Sequence, residues 1–341
     1  MAIRYWDGDT STACTTATNW SADTAPIAAD EVIFDGREQT AQGGGGFYPT
    51  TVCAQGDTGG IDYDLLHVKK TYGTAATDVL GVAGTPFHTS AQKIIIEGIG
   101  IYYIECSEST AVSQTIPLVI VNNKNATVYL TSNINDGAQT CQFNEIRVLA
   151  GTVHIGNDGS SNVATYTPLT RIVPRNNKAS NVTVTEYIDC IKTNGGNAGT
   201  VFMCNGTYTT DSEKNVIDLL DGTFNYGTDL GGSPETGLDI ATLRQYDGTF
   251  NWYPDDSGDP KISDLFIYGG TFDASAATNL NRAKVLGDGA GNDIFLHQGG
   301  TINVANNKGN ITLAASSQLW NFGGTLITDN GSEIGVTYDQ P

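Results

Sequence analysis

The stretch "QYDGTFNWYP", Gln245–Pro254, is written twice more close by, as "LLDGTFNYGT" at Leu219–Thr228 and "IYGGTFDAS" at Ile267–Ser275. Each copy ends an apolar-rich run at Gly-Thr-Phe and a polar residue. The residues after the glycine alternate with period two: Phe224 and Tyr226 fall on one side, Thr223 and Asn225 on the other. An amphipathic helix needs apolar residues at i, i+3 and i+4, and that spacing is missing here. Glycine at the junction reaches positive φ without a Cβ clash. A hairpin would reverse through a two-residue turn such as Asn-Gly. Here one glycine is followed at once by Thr and a second strand, so the chain turns a corner.

The same corner recurs along the sequence. Gly-Thr followed by an alternating run begins at Gly151, Gly199, Gly222, Gly248, Gly270, Gly300 and Gly324, at spacings of 48, 23, 26, 22, 30 and 24. The first spacing reads as two units, with "SNVTVTEY" around Val182 in the gap. The resulting period of about 25 residues is that of a solenoid. Weaker marks extend it backwards, through Thr127 in "NATVYLT" to Ile101 in "GIGIYYI". These marks predict a right-handed parallel β-helix over residues 61–341, with roughly ten coils from near residue 95 onward. Gly151, Gly222, Gly248, Gly270, Gly300 and Gly324 would stand at the bends. Phe224, Phe250, Phe272, Ile302 and Leu326 would form one inward stack, with Asn225, Asn251, Asp273 and Asn303 in an outward ladder.

Composition agrees. Charged residues make up only 16% of the 341, against 41 glycines, which suits turns and strands better than helices or disorder. The formal net charge of −20 argues against nucleic acid and against an anionic membrane surface as partners. The apolar run Ile94–Ile104 is interrupted by Glu97 and glycines, so no membrane span is expected. Asp7 and Asp9 come before any apolar stretch, so no export signal is expected, and the six cysteines are expected to stay reduced. Cys14, Cys53, Cys106, Cys141, Cys190 and Cys204 form no C-x-x-C pair, and the four histidines are scattered, so neither metal nor cofactor is expected.

Residues 1–60 do not follow the period. Trp6, Trp20, Ile33 and Phe34 make a small apolar set, suited to capping the first coil or to attachment. Tyr5, Trp6, Gly8, Thr18, Asn19, Trp20, Ser21, Pro26, Asp30, Val32, Phe34 and Asp35 form a block, Y-W-x-G…T-N-W-S…P…D-x-V-x-F-D. This block resembles one seen in β-helical structural proteins of tailed bacteriophages and, more weakly, in autotransporter-type adhesins. The resemblance implies a virion protein on the outer capsid surface, a head decoration (cement) protein that acts as a homotrimer on the major capsid protein. Tyr5, Trp6, Trp20 and Phe34 are then the expected attachment or cap residues. It also implies two alternatives, a tailspike that binds or cleaves host polysaccharide and an exported adhesin.

Candidate chemistry is sparse. Glycoside hydrolysis needs two carboxylates flanking a groove. Asp255, Asp256 and Asp259, beside Trp252 and Tyr253, are the best such cluster; Asp62 with Asp64 and Asp218 with Asp221 are others. With 37 acidic residues, clusters of this kind arise by chance, and no enzyme is expected. "DGAGNDIF", Asp288–Phe295, resembles one copy of a glycine-aspartate calcium repeat. One copy cannot complete a cage shared between adjacent turns.

Overall fold

A computed structural model describes residues 2–7, 14–35, 63–73, 78–106, 114–132, 141–161, 169–173, 182–187, 199–210, 212–227, 239–253, 261–275, 284–286, 293–303, 311–313 and 318–327. Apart from two short 3-10 turns, the regular structure is strand, and its ladders are parallel throughout. The fold is an all-β parallel solenoid. It divides into two compact units, residues 1–168 with 189–191, and 169–188 with 192–341.

In the first unit one ladder runs Ile3–Tyr5, Glu31–Phe34, Leu65–Val68, Lys93–Ile96, Leu118–Ser132 and Ile146–Ile155. A second ladder joins Gly100–Cys106 to the later halves of the last two strands, with Ile101, Thr127 and Thr152 in register. The ladder therefore begins at Ile3, and Glu31–Phe34 pairs with Leu65–Val68 within it. The early coils carry Trp, Ile and Val at their inward positions without a Gly-Thr mark, so the period could not register them.

The second unit stacks seven strands in each of two ladders, about seven turns. This departs from the expected ten even coils, and the reason lies in the mark itself. Gly199 opens a strand of the first ladder, where Thr200 pairs with Val216. The coil mark at this level is Gly206, whose neighbours Thr207 and Tyr208 pair with Thr223 and Phe224. Gly206 stands only 16 residues before Gly222, so coil length is far less regular than a 25-residue period implies.

Inside the second unit Tyr208, Phe224, Phe250, Phe272, Ile302 and Leu326 form a continuous column in register. The first four rings stack at centroid distances of 4.9, 5.2 and 5.5 Å. All but Leu326, at the last rung, are buried. On the other side of the same strands Asn225 donates to Thr209 Oγ1, Asn251 to Asn225 Oδ1 and Asn303 to Asp273 Oδ1. The bends are close-packed: Gly222, Gly248 and Gly270 have φ of +96°, +77° and +72°. A Cβ on Gly248 would lie 2.4 Å from the carbonyl oxygen of Gly222. Gly151 also has positive φ, at +113°. At the last two bends the left-handed residue is instead Gly299 or Gly323, one before the expected Gly300 and Gly324. Gly300 and Gly324 are required for space, because a Cβ would come within 2.7 Å of Ile267 and 2.4 Å of Leu296.

Candidate functional site

At the N-terminal edge Trp6, Trp20 and Phe34 pack ring to ring, with centroids 5.0 to 5.8 Å apart, and are 0–1% exposed. Their side chains are therefore unavailable as surface anchors, which corrects the attachment reading for these three. Tyr5 is half-buried, and its backbone N–H donates to Ser21 Oγ. Trp6 bridges Trp20 in antiparallel fashion, and Asp7 N–H donates to Asn19. These contacts satisfy part of the open edge of Ile3–Tyr5, which is what a cap must do. Asp30 ties it in, accepting from the N–H groups of Ala2 and Ile27 and from Arg4. Burial pushes the Asp30 carboxyl up, but these donors and the Arg4 charge outweigh it and hold it below the ordinary value. Among the described residues, the large apolar side chains this end exposes are Ile3 and Ile27.

Cys14 is disulfide-bonded, against the expectation that all six cysteines stay reduced. Local spacing cannot reveal such a bond, which depends on chain segments brought together by coiling. Cys106 and Cys204 are free.

Asp255, Asp256 and Asp259, the carboxylate cluster expected beside Trp252, lie outside the described residues, as do residues 287–292 of the calcium-like stretch. Trp252 faces inward, fully buried, 5.8 Å from Phe272, so it offers no platform to a sugar. No group of three or more potential metal ligands occurs among the described residues. Nor is any described helix long and apolar enough to cross a membrane.

The most distinctive outward feature lies on the first ladder of the second unit. Tyr246, Tyr268, His297 and Phe322 stack in sequence, at 5.0, 4.9 and 5.2 Å and within 22° of parallel. Beside them Phe266 stacks on Phe295 at 5.2 Å. Tyr246, Tyr268 and Phe322 are 47%, 39% and 42% exposed. Because the rings face one another along the ladder, it is their edges that meet solvent. Where the strip begins, Phe202, Asp218, Leu220 and Tyr246 line a groove of about 450 Å³. Asp218 is paired there with Arg244 at 3.0 Å, and the Arg171 guanidinium lies 5.9 Å from the Phe202 ring centre.

Sequence reasoning missed this strip, although a signal was present. Leu220, Tyr246, Tyr268, His297 and Phe322 each precede a bend glycine of their coil, outside the Gly-Thr-Phe pattern.

A second cluster lies on the first unit. Glu105 pairs in register with His88 on one side and Thr131 on the other, and its Oε1 lies 3.4 Å from His88 Nε2. Burial, then the charge of Asp158, push the Glu105 carboxyl up to about 7. In the turn at residues 156–161, Gly159 packs so closely on Tyr103 that a Cβ would meet the ring at 2.3 Å.

No family model, no curated protein and no solved structure matches the chain.

Proposed function

We propose that this chain is a non-enzymatic structural protein of a tailed-bacteriophage virion, a right-handed solenoid that decorates the capsid as a homotrimer. The observation that carries this reading is the aromatic strip of the second unit. Stacked rings with outward edges suit packing against another protein surface, where Tyr, Phe and Arg concentrate and acids are scarce. In a chain of net charge −20, the acid at the start of this strip, Asp218, is neutralised by Arg244. The parallel solenoid agrees with what the N-terminal resemblance implies. Right-handed coiling follows the near-universal hand of parallel strand crossovers. With Trp6, Trp20 and Phe34 buried in the cap, attachment to the major capsid protein falls to exposed groups: the strip, with Ile3 and Ile27 as the alternative.

The test is a reconstruction of the native particle carrying this chain, with and without Tyr268→Ser plus Phe322→Ser. Density at threefold positions of the shell, weakened in the double variant, is the expected result. Density at the tail vertex overturns the decoration role. Full shell occupancy by the double variant removes the strip from it.

A further inference from the structure

Five outward rings of the second unit form one array. Phe266 and Tyr268, two residues apart in the chain, lie side by side at 6.5 Å. Phe295 stacks on Phe266 at 5.2 Å and His297 on Tyr268 at 4.9 Å. Phe322 lies 5.2 Å beyond His297 and 6.3 Å from Phe295. Each of these pairs is within 22° of parallel. Rings that stack along the ladder and lie side by side along the strand share common planes, so their rims point the same way, outward. With Tyr246 at its start the array runs four rungs, about 14 Å. The rim of an aromatic ring is the positive part of its quadrupole and the face is the negative part. The surface is therefore apolar and weakly positive across its width. What complements it is the face of another π system, edge-to-face with ring after ring.

Charge gives the array a direction. Asp247 follows Tyr246 directly and is exposed. Asp264 stands two residues before Phe266, in register with Thr242. Arg244, the cation on the rung of Tyr246, is already paired with Asp218 at 3.0 Å. The Tyr246 end is thus acidic, in a chain of net charge −20. We infer that this array binds planar conjugated aromatic cations, laid flat along the rungs with the electron-rich face on the ring rims and the charged end toward Asp247 and Asp264. An aliphatic chain would bury the same area without the quadrupole match. An anion would meet two carboxylates and the field of the whole chain. A compact cation with no flat face would gain only an exposed ion pair, which is worth little in water. The site shares its face with the proposed capsid attachment but does not rest on that reading, since it needs only the isolated chain.

The experiment is equilibrium dialysis of the full chain against thioflavin T, a planar aromatic cation, and against its uncharged analogue lacking the ring N-methyl group. Saturable binding of the cation is expected, and weaker binding of the analogue. Tyr268→Leu and His297→Leu keep apolar bulk but remove a ring rim, so each should weaken binding of the cation about tenfold. The double change Asp247→Asn with Asp264→Asn should weaken the cation about threefold and leave the analogue unchanged. Tyr129→Leu, in the Tyr103–Tyr129–His154 stack of the first unit, should leave both unchanged. Circular dichroism checks that each variant folds. Absence of saturable binding overturns the proposal, as does binding that survives both ring variants or is lost in Tyr129→Leu. An analogue that binds as tightly as the cation overturns it too. None of these outcomes bears on capsid attachment, which the particle reconstruction reads separately.

Discussion

Phe250 sits between two rings of its own kind, 5.2 Å from Phe224 and 5.5 Å from Phe272, and is fully buried. Those neighbours are pinned by backbone register above and below, so the site cannot collapse if the ring is removed. Phe250→Ala should therefore cost about 3–5 kcal/mol, while Leu326→Ala, half-buried at the last rung, should cost less than about 2 kcal/mol. Urea unfolding measures both, and equal midpoints for the two variants would contradict the column. This column was legible because Gly-Thr-Phe recurs and alternation with period two has one physical meaning. Tyr208 was not, since its "NGTYTT" mark precedes the next by less than one period. Gly299 and Gly323 were misassigned for a different reason: in a Gly-Gly pair either residue can turn, and only the neighbouring coil decides which must leave room.

At the scale of the strand, the buried ion pair of the second unit breaks the rule by which sequence places charge outside. Glu186 ends the strand Val182–Glu186, and Lys214 begins Lys214–Leu219. Their side chains are 2% and 1% exposed and meet at 2.8 Å. Tyr208 and Thr210 also donate to the same Glu186 oxygen. Alternation puts Glu186 inward with Val182 and Val184, but Lys214 is out of step with Ile217 and Leu219 and reaches the inside through a register irregularity at the start of its strand, so nothing local in the sequence says that the two would face each other. Lys214→Met should cost about 3–5 kcal/mol, because it strands a buried carboxylate. The double change Glu186→Gln with Lys214→Met should recover most of that loss, since the amide oxygen still accepts from Tyr208 and no charge remains. A double-mutant cycle in urea reads the coupling. A double variant no more stable than Lys214→Met would mean the pair contributes net stability.

At the scale of the molecule, acidity and burial set opposite pH limits on the first unit. Asp30, Glu97 and Asp158 are held below their ordinary values. In each, burial pushes the carboxyl up, and it is outweighed by hydrogen bonds, from Ala2, Ile27 and Arg4, from His67 and Asn122, and from Ser160 and Ser161 respectively. Their contribution is present above the ordinary carboxylate values of 3.8 and 4.5 and is lost as pH falls below them. Glu105 works the other way. Its carboxyl titrates near 7 in the fold, against 4.5 ordinarily. Between those values the folded chain keeps a proton that the unfolded chain has released, so stability falls as pH rises through this window. Protection of the Gly100–Cys106 amides from hydrogen exchange, corrected for intrinsic rate, should therefore peak at about pH 5 and decline toward neutrality. The net charge of −20 opposes compactness too, but most carboxylates are already ionised across this window and salt screens their repulsion. Glu105→Gln separates the two causes. It should flatten the decline at low salt, whereas a decline that persists in Glu105→Gln and disappears at high salt would assign it to the molecule's overall charge.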